Sequence, residues 1–115
     1  METSSDGIPI GADGCKLDKG KAPVFTGLLE YFPRALRAVA EVSAAGIRKG
    51  YAPMSWRAVP GGFKRYSDAL LRHVLKEAMG TCDDTDEGGT GLPHAALAAW
   101  NALARLELML RGEEK

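Results

Sequence analysis

The apolar positions of this chain recur at the three- and four-residue spacing of α-helices in three segments, near residues 33–49, 64–79 and 92–111. The first segment begins at Pro33, whose fixed φ angle suits a first helical turn, and it stops before Gly50. No segment shows the apolar and polar alternation of a half-buried β-strand. The pattern therefore predicts an all-α fold with three main amphipathic helices.

The third segment has the most regular apolar pattern. Its main stripe recurs in alternating steps of four and three residues, at Leu92, Ala96, Ala99, Leu103, Leu106 and Leu110. We predict that this stripe faces the core. A second apolar flank consists of Leu97, Ala104 and Leu108. It indicates that the helix is covered on two sides, one of them by a second subunit.

The two earlier helices have apolar faces of their own. The face predicted for the first helix consists of Leu36, Val39, Ala40, Ser43 and Ile47. The second helix has a narrow stripe of Tyr66, Leu70, His73 and Glu77 beside a broader apolar face of Leu71, Val74, Leu75 and Ala78. The narrow stripe mixes core and titratable residues, so this helix is a candidate for chemistry.

The length of 115 residues fits one domain, and the composition is that of an ordinary globular protein. Residues 1–20 are rich in small and polar types, and we expect a flexible leader there. The helical domain is predicted over 21–111, followed by a polar tail at 112–115. A domain of this size buries little surface alone, so we expect a homo-oligomer.

Fifteen basic and fifteen acidic side chains give no net charge, so stable binding to nucleic acid is not expected. Cys15 and Cys82 are too few for a disulfide framework or a zinc site. No apolar run approaches the roughly 18 residues of a membrane span, and no secretion signal is visible. These features predict no membrane partner and a location in the cytoplasm.

The second helix contains an Arg72-His73 pair. His73 lies four residues before Glu77, so the two side chains could share a proton or a metal ion. The simpler interpretation is a histidine at the edge of the core, satisfied by a neighbouring hydroxyl or carbonyl. Asp68 and Arg72 are also four residues apart, which favours an exposed ion pair.

The loop after the second helix is acidic and rich in glycine. Its carboxylates, Asp83, Asp84, Asp86 and Glu87, are hard oxygen ligands of the kind that Mg²⁺ or Mn²⁺ accepts beside a substrate phosphate. Their spacing matches no calcium-binding loop, and a solvated turn is the alternative interpretation. Asp84 and Asp86 are the stronger candidates.

On the third helix, His94, Asn101 and Arg105 share a stripe roughly opposite the leucines. Such a stripe faces either solvent or a site, and composition favours solvent. Glu107 flanks the apolar stripe beside Trp100, where partial burial would raise its pKa or demand a cation. The simplest interpretation is that Glu107 forms a salt bridge with a basic side chain.

The loop between the first two helices contains Tyr51 and Trp56, and Phe63 follows it, so we expect an ordered loop that covers helix ends or faces a ligand. Lys21 and Lys49 could meet phosphate, although no Walker loop or dinucleotide fingerprint is present. Nucleophile-elbow, His-Glu-x-x-His and Cys-x-x-Cys motifs are also missing. Among enzymatic functions, the sequence therefore favours metal-assisted chemistry that uses carboxylate side chains.

A series of short motifs runs along the chain: Gly20-Lys21-x-Pro23, Pro33, Gly46, Lys49, Trp56, Tyr66-x-Asp68-Ala69-x-x-Arg72-His73, the acidic loop, Gly91-x-x-His94 and Asn101. This series resembles the small dATP/dGTP diphosphohydrolase family, which is common in phages and is related to the all-α MazG-like nucleotide pyrophosphohydrolases. The resemblance extends from Lys21 to Glu107.

The resemblance implies a MazG-like helical bundle that hydrolyses a deoxynucleoside triphosphate between its α and β phosphates with bound Mg²⁺ or Mn²⁺. Metal ligands are then expected among Asp68, Glu77, Asp84, Asp86 and Glu107. Nucleotide contacts are expected from Lys21, Lys49, Trp56, Tyr66, Arg72 and Asn101. His73 and His94 would transfer protons or support the ligands.

The chain departs from the family pattern at two possible ligands, since Thr81 replaces a glutamate and Leu97 a histidine. The paired-acid motifs of MazG-like proteins are not visible either. The alternative is therefore a non-catalytic helical adaptor, which uses the aromatic loop and the two-sided third helix to bind a protein or a free nucleotide.

Overall fold

The computed structural model describes residues 19–115, and these residues are predominantly helical. The three main helices are α1 at Pro33–Arg48, α2 at Gly62–Ala78 and α3 at His94–Leu110. The all-α prediction is confirmed, and each helix end lies within two residues of its predicted position. The predicted leader falls almost entirely outside the described residues, and so does Cys15.

The chain divides into two compact units, of which the first ends at Pro33 and the second spans Arg34–Lys115. The described part of the first unit contains a π-helical turn at Phe25–Leu29. Gly27 lies in this turn, and a Cβ atom there would approach Cγ of Pro23 to 2.7 Å. Glycine is therefore required where the turn folds back on the proline.

Helix α3 is the central element of the second unit. Helix α2 packs against it in antiparallel orientation, with Gly62 beside Leu108 at one end and His73 against His94 at the other. Helix α1 contributes Val42 to the small core. The members of this core are Val42, Ala96 and Leu97, with Ala38, Leu92 and Trp100 packed around them.

The face of α3 that packs inward is only partly the one predicted, since Ala96 of the predicted stripe is buried and Leu92 packs against the core. The leucine stripe was expected to be core, but Leu103, Leu106 and Leu110 are 50%, 44% and 73% exposed. The buried positions of α3 are His94, Ala96, Leu97, Ala98, Asn101, Ala104 and Leu108. Both flanks of this helix are apolar, so periodicity defined the faces correctly but did not show which of them the other helices cover.

The apolar faces of α1 and α2 differ from the prediction in the same way. In α1 the buried residues are Val42 and Ala45, whereas Ile47, assigned to the core face, is exposed. In α2, Leu71 and Leu75 are exposed as well. None of the helices in the described part of the chain is long and apolar enough to cross a bilayer.

The segment between α1 and α2 is ordered, as predicted, and it includes a 3-10 turn at Ser55–Ala58. Met54, just before this turn, has a φ of 67°, a left-handed conformation that is uncommon for a residue with a side chain. The guanidinium of Arg57 donates two hydrogen bonds, of 2.9 and 3.0 Å, to the Glu113 carboxylate. This ion pair connects the segment to the end of the chain.

The orientation of α3 can be tested by truncating one leucine on each flank. Leu108→Ala should lower the free energy of unfolding by about 2–4 kcal/mol, because it leaves a cavity against α2. Leu106→Ala should cost less than about 1 kcal/mol in the monomer, since that side chain is already half exposed. Urea unfolding at low protein concentration measures both, and equal losses would contradict the observed orientation.

Candidate functional site

A cavity of about 830 Å³ lies within the second unit. Its walls are the C-terminal half of α1, the segment 49–59, the first half of α2 and the middle of α3, and Thr90 from the acidic loop completes them. The volume is in the range of pockets that bind small molecules and cofactors, typically about 300–1,000 Å³. It is the prime candidate for a ligand site.

Three aromatic rings form one wall of this cavity. Trp56, Tyr66 and Trp100 pack edge to face, with ring centroids 5.6 to 6.3 Å apart. The Tyr66 hydroxyl donates to the carbonyl of Trp56 at 2.5 Å, and the indole N–H of Trp100 donates to Ser43 Oγ at 2.9 Å. These bonds fix the rings, and burial raises the pKa of Tyr66, so its hydroxyl stays protonated at neutral pH.

The charged side chains that line the cavity are mainly basic. In the part of the chain that the structure describes, they are Lys49, Arg65 and Arg72, against the single carboxylate of Asp68. Nζ of Lys49 also donates a hydrogen bond of 2.7 Å to the carbonyl of Gly88, which connects the end of α1 with the acidic loop. An excess of positive charge beside aromatic rings suits an anionic ligand that has a flat ring system.

Asn101 lies at the boundary between cavity and core. The residue is buried, and its Nδ2 donates to the carbonyl of Leu97 at 2.8 Å, one turn earlier on α3. Composition favoured solvent for the stripe of Asn101 and His94, but both side chains are buried. The polar stripe therefore faces the protein interior.

A second polar cluster joins α2, α3 and the acidic loop. Nδ1 of His73 and Nδ1 of His94 are 2.8 Å apart, and the Asp84 carboxylate completes a group whose ligand atoms all lie within 4.8 Å of one another. His94 is only 1% exposed. At this distance the two facing nitrogens must share either a proton or an ion, because two N–H groups would repel.

The backbone brings this cluster together. Residues 82–84 run antiparallel to 92–94, with hydrogen bonds of 2.8 Å from Asp84 N–H to the carbonyl of Leu92 and from His94 N–H to the carbonyl of Cys82. Thr90 then fixes the carboxylate, since its N–H and its hydroxyl both donate to Oδ2 of Asp84 at 2.9 and 3.1 Å. Asp84 is thus fixed at both its backbone and its side chain.

The environment shifts two pKa values in this cluster. Partial burial has the largest effect on His73 and lowers its pKa, although the Asp84 carboxylate offsets part of the change. For Asp84, partial burial alone would raise the pKa, but the hydrogen bonds from Thr90 and the neighbouring imidazoles hold it below its ordinary value. A neutral imidazole and a carboxylate are both capable of binding cations.

The carboxylates predicted as metal ligands lie at separate places. Asp68 lines the cavity and Asp84 belongs to the histidine cluster. Glu77 is exposed, Asp86 pairs with Lys76, and Glu107 accepts a hydrogen bond of 2.6 Å from Arg111. Within residues 19–115, His73, Asp84 and His94 are the one group of three or more possible ligands that meets at a point. A ligand role for Glu77, Asp86 and Glu107 stays a prediction.

The nucleotide contacts predicted within the second unit all line the same cavity: Lys49, Trp56, Tyr66, Arg72 and Asn101. Lys21 belongs to the first unit, and its role stays a prediction. Sequence reasoning missed Arg65, Thr90 and a cavity role for Trp100. A signal was present for Arg65, because it lies seven residues before Arg72 and so shares its stripe of α2.

A family model described as dATP/dGTP diphosphohydrolase, N-terminal, matches residues 12–115. The chain belongs to this family. The resemblance stated from its motifs is therefore confirmed, and the family is one of diphosphohydrolases. Comparisons with curated proteins and with solved structures give no match.

The anchoring of Asp84 by Thr90 predicts a specific loss of stability in this member of the diphosphohydrolase family. Thr90→Val removes the hydroxyl that donates to Asp84 and accepts from Leu92 N–H, so we expect a loss of about 1–2 kcal/mol in the free energy of unfolding. Thr85→Val, an exposed change in the same loop, should alter it by less than about 0.5 kcal/mol. Denaturant unfolding tests both variants, and equal effects would contradict the anchoring role.

Proposed function

We propose that the chain binds a deoxynucleoside triphosphate in the 830 Å³ cavity and hydrolyses it to the monophosphate and pyrophosphate. The observation that supports this most strongly is the composition of one cavity, in which four of the described aromatic rings, Tyr51, Trp56, Tyr66 and Trp100, lie beside three cationic side chains. The family's description as a dATP/dGTP diphosphohydrolase points to the same reaction.

The aromatic wall is the proposed base site. Trp56, Tyr66 and Trp100 present apolar ring surface, and a purine gains about 1–3 kcal/mol by stacking on such a side chain. The hydrogen bonds to Trp56 and Ser43 fix the rings before the base arrives, which lowers the entropy lost on binding. Stacking favours any flat base, so this wall sets affinity more than base choice.

The basic side chains are the proposed phosphate site. Arg65 and Arg72 can each make paired hydrogen bonds to phosphate oxygens, and Lys49 adds a point charge at the edge of the acidic loop. In the reaction a water oxygen bonds to the α-phosphorus, the bond to the bridging oxygen of the β-phosphate breaks, and pyrophosphate leaves. The cations offset the charge that develops on the departing oxygens.

Mg²⁺ or Mn²⁺ is the proposed cofactor. Mg²⁺ usually keeps several waters and binds one or two carboxylates together with substrate phosphates, and Asp68 offers one carboxylate at the cavity. The described residues fit a metal held jointly by Asp68 and the triphosphate. When bound, such an ion would neutralise the phosphates and make an attached water more acidic.

His73 and His94 are proposed to assist from the adjoining cluster. Thr90 contacts both sites, because it lines the cavity and donates two hydrogen bonds to Asp84. With no metal ion bound to it, a neutral imidazole of this cluster could accept the proton released by the attacking water. We thus assign a base site, a phosphate site and a proton acceptor to described groups of the second unit.

The second candidate is a nucleotide-binding adaptor without catalysis. It is favoured by one observation, namely that Asp68 is the single carboxylate among residues 19–115 that lines the cavity. An adaptor would use the same aromatic and basic residues to hold the nucleotide but would not cleave it. Both candidate functions require nucleotide binding, but only the hydrolase would cleave the bound nucleotide.

We further propose that the chain acts as a homo-oligomer. The exposed stripe of α3 consists of Ala99, Leu103, Leu106 and Leu110, repeating every three or four residues along the helix. In a two-fold dimer the same patch meets itself, so one continuous apolar stripe can cover its own copy. A second copy of this chain is the proposed occupant.

The phosphate site is tested by comparing two arginine substitutions. Arg72→Gln should lower kcat/KM for dATP and dGTP by roughly tenfold to a hundredfold, because one charged contact to the triphosphate is lost. Arg37→Gln, an exposed change of equal charge on α1 outside the cavity lining, should stay within about twofold. Pyrophosphate release with Mg²⁺ or Mn²⁺ is the readout.

Absence of pyrophosphate release from a panel of dNTPs would rule out catalysis and favour the adaptor. Binding is then measured separately, with a non-hydrolysable dNTP and Mg²⁺, by thermal shift and by fluorescence of the two tryptophans, both of which line the cavity. If the nucleotide changes neither signal, both candidates fail.

The oligomer is tested by adding a charge to the exposed stripe. Leu106→Glu should reduce the molar mass measured by light scattering from that of an oligomer to that of the 12.3 kDa monomer, because a buried unpaired carboxylate strongly opposes association. Lys64→Gln, which changes the net charge equally at an exposed position of α2, should leave the mass unchanged. A monomeric unsubstituted protein would refute the proposal.

A further inference from the structure

We infer that His73, Asp84 and His94 form a binding site for a divalent first-row transition-metal ion of the Zn²⁺ type, distinct from the proposed Mg²⁺ or Mn²⁺ site at Asp68. Each residue offers one ligand atom, and these atoms lie within 4.8 Å of one another. The three ligands come from α2, the acidic loop and the start of α3, so one ion would join three separate segments.

The geometry of the imidazole pair suits a shared ion. Two nitrogens bound to one tetrahedral Zn²⁺ at 2.0–2.1 Å lie roughly 3.3 Å apart. Nδ1 of His73 and Nδ1 of His94 are already 2.8 Å apart, with each nitrogen facing the other. Binding of one ion by both nitrogens would require the half-buried His73 ring to move slightly outward from the buried His94.

The Asp84 carboxylate is oriented by hydrogen bonds, as the carboxylates of metal sites commonly are. Ligating carboxylates are commonly oriented by hydrogen bonds from a second layer of residues. Oδ2 of Asp84 accepts two such bonds, from the N–H and the hydroxyl of Thr90. The same carboxylate supplies negative charge next to two imidazoles, which lowers the cost of burying a cation there.

The donor set selects the kind of ion. Two imidazole nitrogens and one carboxylate oxygen suit Zn²⁺, Co²⁺ and related ions, whereas Mg²⁺ prefers oxygen ligands throughout. Three protein ligands leave at least one coordination position for water, as in catalytic rather than purely structural zinc sites. Thr90 lines the cavity and also donates hydrogen bonds to the Asp84 carboxylate, so it contacts both this site and the proposed nucleotide site.

The test measures metal binding without nucleotide, so the result does not depend on turnover. The full chain, free of affinity tags, carries Cys15→Ser and Cys82→Ser to exclude thiol ligands. Calorimetry should show one Zn²⁺ bound per chain, Co²⁺ should give a visible d–d absorption band, and Mg²⁺ should not compete. Zn²⁺ should also raise the thermal unfolding midpoint, since it joins three segments.

Two variants test the proposed ligands, and a third serves as their control. Asp84→Asn and His73→Gln should each weaken Zn²⁺ binding by about tenfold or more. Asp83→Asn, which removes the same charge from the exposed neighbouring residue, should bind as tightly as the parent. Circular dichroism checks that each variant is folded, and the partly exposed His73 provides a test even if Asp84→Asn unfolds.

Absence of saturable Zn²⁺ binding in the parent would overturn the inference. Equal affinity in Asp84→Asn, His73→Gln and Asp83→Asn would overturn it too, because the ion would then be bound elsewhere. Zn²⁺ binding without dNTP hydrolysis would leave this site established and refute only the proposed activity.

Discussion

The packing of α2 against one particular flank of α3 is the constraint on which the second unit depends. Gly62 lies at one end of this contact, where a Cβ atom would be 3.5 Å from Cδ1 of Leu108, an ordinary van der Waals distance. The chosen flank contains two polar residues, His94 and Asn101. Once buried, each needs a hydrogen-bond partner, since an unsatisfied polar group in the interior is costly. His73 and a backbone carbonyl provide those partners.

The same packing creates both candidate sites. Between the close contact at Gly62 and the imidazole pair at the opposite end, the rings of Tyr66 and Trp100 meet and form a wall of the cavity. At the imidazole end, the pairing of residues 82–84 with 92–94 brings Asp84 beside the histidines. Thr90 contacts both sites, because it lines the cavity and donates hydrogen bonds to Asp84.

The exposed leucine stripe of α3 is a consequence of this packing. A helix with two apolar flanks can bury only one of them against its neighbours in a small domain. The second unit buries the flank that includes polar groups and leaves Leu103, Leu106 and Leu110 exposed. A second copy of the chain would relieve that exposure, which connects the internal packing to the proposed assembly.

The amino-acid sequence by itself determined the all-α fold and the helix ends, because helical periodicity and residues such as Pro33 act locally. Motif resemblance identified the family, and the residues that it predicted as nucleotide contacts within the second unit line one cavity. Only the tertiary structure decided that His94 and Asn101 face inward, that the predicted carboxylates lie apart, and that Asp84 joins the histidines. The physical reason is that periodicity defines the faces of a helix, whereas packing between distant segments selects the face to be buried.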